Sequence, residues 1–180
     1  MARAFDALTD DLIDWLLEQH VFFVATAPLS AEGHVNLSPK GHDCFRVLSP
    51  TSVAYLDLTG SGAETIAHLR ENGRITLLFT AFEGPPRIVR LHGRGAVVTP
   101  GDDRWAELSP QFPDLPGARS VIVIDVSRVS TSCGYSVPLM DYRSERPTLI
   151  KWAERKGPSG LEDYRDEKNA TSIDGLPAFG

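Results

Sequence analysis

Residues Ser52–Phe79, SVAYLDLTGSGAETIAHLRENGRITLLF, decide the fold: an apolar strand, a Gly-rich turn, an amphipathic helix and a second apolar strand follow one another without a break. Val53 to Leu56 form the first apolar run. Ile66, Leu69 and Arg70 recur at helical spacing, and Ile75 to Phe79 extend again. The turn Thr59-Gly60-Ser61-Gly62 lies where the helix begins. Free backbone N–H groups and the positive end of the helix dipole favour an anion at such a point. Glycines let the chain approach a ligand closely, and the hydroxyls of Thr59, Ser61 and Thr65 add donors. The turn is therefore a phosphate cradle in its chemistry. The same residues also suit an ordinary capped helix, with Ser61 or Gly62 near the cap and Glu64 in the first turn.

Two common phosphate loops do not fit. The turn lacks the Gly-Lys-Ser/Thr ending of a nucleoside-triphosphate P-loop. It also lacks the third glycine of a dinucleotide fingerprint, because Gly62 is followed by Ala63, Glu64 and Thr65.

At 180 residues, 42% of them hydrophobic, the chain can bury one substantial core, and a single domain over 1–180 is expected, with residues 148–180 as a helical C-terminal extension. A net charge of -6 argues against a general nucleic-acid binder and leaves room only for a local basic site. Asp6, Asp10, Asp11, Asp14 and Glu18 make the first twenty residues unlike a secretory signal, and no run is long and apolar enough to span a bilayer. Cytoplasmic residence, with no membrane partner, is the expectation. Cys44 and Cys133 are the only cysteines, too few for a disulfide framework or a cysteine-rich zinc site, and are expected as free thiols.

Along the chain, Thr9 can cap a helix whose apolar face is Leu12, Ile13, Leu16 and Leu17, with Trp15 beside them. Strands are expected over 21–27, 35–38, 44–48, 52–58 and 74–82, with Pro39-Lys40-Gly41 as a bulge or turn. Residues 87–99 alternate as a long strand, and Gly93 and Gly95 permit it to bend as at a barrel corner. A helix over 102–108 and a Pro-rich loop precede the most apolar strand, 120–126, and 129–137 adds a last extended segment. Helix returns from Thr148 to about Lys168, interrupted at Gly157-Pro158-Ser159-Gly160, and the tail from Asn169 is expected to be disordered or laid across a partner. This is an α+β, mainly β, architecture: a small barrel with one inserted helix and helices at both ends.

Other constellations carry less chemistry. His42, Asp43 and Cys44 alternate across a strand and lack further ligands, so no metal site is expected. There is no Gly-x-Ser-x-Gly elbow and no HExxH. Arg87, Arg90 and Arg94 read as surface charge, and Trp105 and Trp152 as core or interface anchors.

Taken in order, the opening helix, the strand Val21 to Thr26, the segment Val35-Asn36-Leu37-Ser38-Pro39-Lys40-Gly41, the strand and turn from Val53 to Thr65, and Leu69 to Arg74 resemble the pyridoxamine 5'-phosphate oxidase-like family of flavin-binding split β-barrels. The likeness runs from about Leu12 to Tyr135 and is nearest to a bacterial subgroup with Cys-Gly-Tyr near the C-terminus, here Cys133-Gly134-Tyr135. It implies a Greek-key-like split barrel and a homodimer with FMN at the interface. By the same resemblance, Ser38, Lys40 and Gly41 run along the flavin ring to a phosphate-side lysine. Leu58 and Thr59 meet the ring edge and ribityl chain, and Ser61, Gly62 and Thr65 form the phosphate turn.

The departures are specific. Vitamin B6 oxidases carry adjacent basic residues in the turn where this chain has Gly62-Ala63-Glu64, so one cationic clamp is missing, to be supplied by Lys40, Arg46 or Arg74. The Trp and Arg that grip the pyridoxal ring have only Trp152 and Arg155 as loose counterparts. The resemblance thus implies an FMN-dependent oxidoreductase acting on a small molecule other than pyridoxamine phosphate. Cys133 and Tyr135 are the candidate catalytic residues, expected in the substrate wall, with Tyr135 as a proton donor or a stacking surface. The alternatives are a deazaflavin-dependent reductase, or a non-catalytic module holding flavin or haem, the latter through His34, His42 or His92. A homodimer is expected on physical grounds also, if the strand faces around Ile122 and Ile124, or the helix bearing Trp15, need cover.

Overall fold

The computed structural model describes residues 3–179. Eight strands and four α-helices follow in the order β1 (Arg3–Phe5), α1 (Asp10–Leu17), β2 (Phe22–Thr26), β3 (Asn36–Lys40), β4 (Phe45–Ser49), β5 (Ser52–Leu58), α2 (Glu64–Asn72), β6 (Arg74–Thr80), β7 (Ile88–Val98), α3 (Trp105–Leu108), β8 (Ala118–Ser132) and α4 (Thr148–Lys168). The strands make one antiparallel sheet in the order β3-β2-β6-β7-β8-β5-β4, with β1 added to β8. The fold is α+β and mainly β, a split barrel with α2 inserted between β5 and β6.

β5 explains why its sequence is apolar without alternation. Val53 and Tyr55 face the main core, while Ala54 and Leu56 face a second cluster with Leu108, Phe112, Val121 and Val123, so both sides of the strand are covered. In the main core, Phe22, Phe45, Tyr55 and Phe79 pack as an aromatic group with ring centroids 4.9–5.6 Å apart. Ile122 and Ile124 are fully buried in it, so those faces need no partner to cover them.

The barrel corner falls at Gly93, where the β7–β8 register shifts after His92. A Cβ there would lie 2.1 Å from the Asp125 carbonyl oxygen, so no side chain fits at this bend.

Other expectations are corrected. Pro39 and Lys40 belong to β3, opposite Phe23 and Phe22, and make no turn; β3 is an edge strand, where proline costs no ladder bond. The segments read as 120–126 and 129–137 are one strand, β8, which ends at Ser132. The helix expected over 102–108 is only the single turn α3. Leu17, expected on the buried face of α1, is 53% exposed. α4 is two helices joined at Gly157, whose φ of 66° and ψ of 173° are not helical.

The tail is ordered against its own chain. Asn169 is fully buried, Thr171 bridges to Pro177, and Asp174 accepts from the His34 backbone and pairs with its imidazole at 2.7 Å.

Candidate functional site

The end of β3, the β5–α2 turn, the start of β8 and the first turns of α4 enclose a cleft of about 710 Å³. Of the residues singled out from sequence, Ser38, Lys40, Gly41, Leu58, Gly62 and Thr65 line it. Trp152 and Arg155, the loose counterparts of a ring-gripping pair, line it too, with Arg146.

The floor is set by a carboxylate. Alternation along β5 puts Asp57 on the same side as Tyr55, where it is 1% exposed. Such a charge needs partners. It receives the Lys40 ammonium at 2.9 Å and the Arg119 guanidinium at 2.7 Å. Burial opposes ionisation of Asp57, but the charges and hydrogen bonds of Lys40 and Arg119 more than offset it and hold its carboxyl below the usual carboxylate range. Arg119 also donates to the carbonyl of Gly62 and to Asn169 Oδ1, while Asn169 Nδ2 donates to the Gly60 carbonyl. The glycine turn is thus braced from behind by one buried arginine and by the tail.

Lys40 keeps donors to spare, since an ammonium has three and Asp57 takes one. Thr65 Oγ1 accepts from Asn36 Nδ2 at 3.0 Å, which leaves its own O–H to donate. No side-chain cap closes the start of α2, where the cap position is Ala63. Lys40, Arg119, Arg146 and Arg155 against Glu64 and Glu145 give the lining two more cations than carboxylates, on a chain of net charge -6. The Glu64 carboxylate folds back over Gly62, so near that a Cβ on Gly62 would meet it at 2.3 Å. Cys44 reaches the cleft wall but is 2% exposed, and burial pushes its thiol up to about 12.

Other candidates lie elsewhere. Arg46 is held by Asp43 and the Gln111 carbonyl and stacks over Phe112, so it supplies no cation to the cleft. Arg74 is bound to Asn72 and the Pro28 carbonyl. Thr59 is 1% exposed, and both its amide and its hydroxyl donate to the Gly117 carbonyl, which ties the turn to β8. Ser61 is exposed and outside the cleft lining.

Cys133 and Tyr135 do not wall this cleft; they border a separate groove with Arg3, Asp11 and Arg87 beside β1 and α1. Alkylation of the exposed Cys133 is therefore expected to proceed at the same rate with and without saturating FMN. Protection would mean that Cys133 of a second copy covers the cleft.

On α2, His68 is fully buried, with Nδ1 on Thr26 Oγ1 at 3.0 Å and Nε2 without a partner among the described residues. Burial lowers its pKa against the opposing pull of Asp174, Glu64 and Glu71. Because the unfolded chain takes up the proton first, the stability tied to neutral His68 is full above the ordinary histidine value of about 6.5 and is lost as pH falls below it. His92 shifts the same way, through burial and the charges of Arg128 and Arg90. Urea midpoints of the His92→Gln variant should still drop between pH 7.5 and 5.5, and a flat profile would show that His68 is not held neutral.

Sequence reading missed Asn36, Asp57, Arg119 and Arg146. Asp57 carried a signal: a carboxylate on the inward phase of a buried strand requires a cation nearby.

The family profile for pyridoxamine 5'-phosphate oxidase matches residues 8–133. The pyridoxamine 5'-phosphate oxidase family protein ustO of Aspergillus flavus is 44% identical over 192 aligned positions, covering 97% of this chain and 77% of the relative. Two crystal structures of HupZ from Group A Streptococcus superpose with TM-scores of 0.55 and 0.53, both at 23% identity; they cover 69% and 68% of this chain, and 98% and 91% of theirs. The structural likeness bears on the fold alone. On the extent of the profile match and the 44% identity, this chain belongs to the pyridoxamine 5'-phosphate oxidase family.

Proposed function

We propose that the cleft binds FMN and that the protein is a flavin-dependent oxidoreductase for a small molecule. The observation that carries this reading is the cleft's donor set: a braced glycine turn with an uncapped helix start and the free donors of Lys40 and Thr65 share one lining with the Trp152 ring, Arg146 and Arg155. The donors fit a flavin phosphate. Ser38, Gly41 and Leu58 line the same cleft, and a flat ring system would be held against them.

A bound flavin would supply hydride or electron transfer, chemistry the side chains lack. The residues bind, orient and exclude water. Lys40 balances phosphate charge while remaining fixed by Asp57, and Arg119 holds the turn through the Gly62 carbonyl. Glu64 sits where it opposes a dianion, so its carboxylate must swing away from Gly62 on binding.

A homodimer is part of the proposal, supported by Val35 and Leu37, 74% and 65% exposed on and beside the edge strand β3. Sedimentation at micromolar concentration should give twice 19.7 kDa. The purified protein should show flavin absorbance and bleach under anaerobic NADH or NADPH. A Soret band would replace this reading with haem binding, and a flavin spectrum untouched by either donor would leave a passive carrier.

A further inference from the structure

A second cavity, of about 550 Å³, opens where the end of α1 meets the β6–β7 connection, and residues outside the flavin cleft line it. Met140 closes one side, its amide donating to the Phe82 carbonyl, and the Tyr142 amide donates to Glu83 Oε1. The tyrosine ring stacks on His20 at 3.6 Å. Three carboxylates, Glu18, Glu83 and Asp141, border the cavity together with Trp15 and Phe82; among the described residues no lysine or arginine lines it, and Arg87, which lies over the Trp15 ring at 5.5 Å, pairs with Asp11. In its lining lies Thr80, only 6% exposed, whose hydroxyl has no hydrogen-bond partner among the described residues. A buried hydroxyl left unpaired costs stability unless something else meets it.

We infer that this cavity is a binding site for a small organic cation, an amine or guanidinium carried on an apolar or aromatic body. An ammonium donates to Thr80 Oγ1, is balanced by the carboxylates and is attracted by the face of Phe82, while the apolar body fills the space against Trp15, Phe82 and Met140. An anion would meet three like charges. A neutral apolar ligand would leave Thr80 unpaired.

The test is calorimetric titration of the full chain, in amine-free buffer, with phenethylamine and with its neutral counterpart 2-phenylethanol. Phenethylamine is expected to bind at least ~10-fold more tightly, and Glu83→Gln and Thr80→Val should each weaken it about 5- to 10-fold. Thr80→Val should not lower the melting temperature, since its hydroxyl bonds to nothing among the described residues. Phenethylamine binding should persist with saturating FMN, which keeps this site distinct from the flavin cleft. Equal affinity for the two probes, no binding, unchanged affinity in both variants, or competition by FMN would each overturn the proposal.

Discussion

Replacing Arg119 by Leu is expected to destabilise the protein by about 3–5 kcal/mol, the usual cost of removing one partner from a buried ion pair. Arg119 is 5% exposed and Asp57 1%, so the carboxylate, left with Lys40 as its one cation, could not turn to water. The Gly62 carbonyl and Asn169 Oδ1 would lose their donor in the same step. Urea unfolding of the single variant and of the Asp57→Leu/Arg119→Leu double variant would separate the causes, because apolar replacement of both charges should recover much of the loss. A loss below about 1 kcal/mol in the single variant would mean that Lys40 alone can neutralise Asp57.

FMN is expected to bind roughly 10- to 100-fold more tightly than riboflavin, since charge-assisted hydrogen bonds contribute about 1.5–3 kcal/mol each. Lys40→Met should remove most of that difference while leaving riboflavin binding nearly unchanged, and Thr65→Ala should act in the same direction. Fluorescence-quenching titrations read both constants. Equal affinity for the two flavins would remove phosphate from the braced turn. Binding of a deazaflavin with no binding of FMN would keep the cradle and change the cofactor.

The β5–α2–β6 segment was legible because its period changes from strand to helix and back with clear punctuation: β5 occupies Ser52–Leu58 as read, and Gly73 ends α2. β8 was not read as one strand, because Asp125, Ser127 and Arg128 break its apolar run. Those residues are exposed where the long strand passes the bend, and the hydrogen bonds that carry the strand through come from β1 and β7, which local sequence does not reveal. Arg119 was missed for a similar reason. A lone arginine before a strand reads as solvated, and only the fold brings it to Asp57, 62 positions away. The tail looked unstructured because its order depends on Asn169 reaching Gly60, a contact separated by 109 positions.

The pairing of β1 with β8 has a consequence for synthesis. Arg3 pairs with Thr131 and Phe5 with Val129, so the first strand made must wait for almost the last. At ribosomal rates of about 5–20 residues per second, that delay is on the order of ten seconds. Through it Phe5 has no partner strand, while Leu12 and Leu16 of α1 have only the earlier strands, β4 among them, to pack on. The nascent chain therefore carries β1 unpaired until β8 has been made, and this pairing is among the latest in the sheet to become possible. Fusions or tags that restrain the first residues should slow this step without altering the finished barrel.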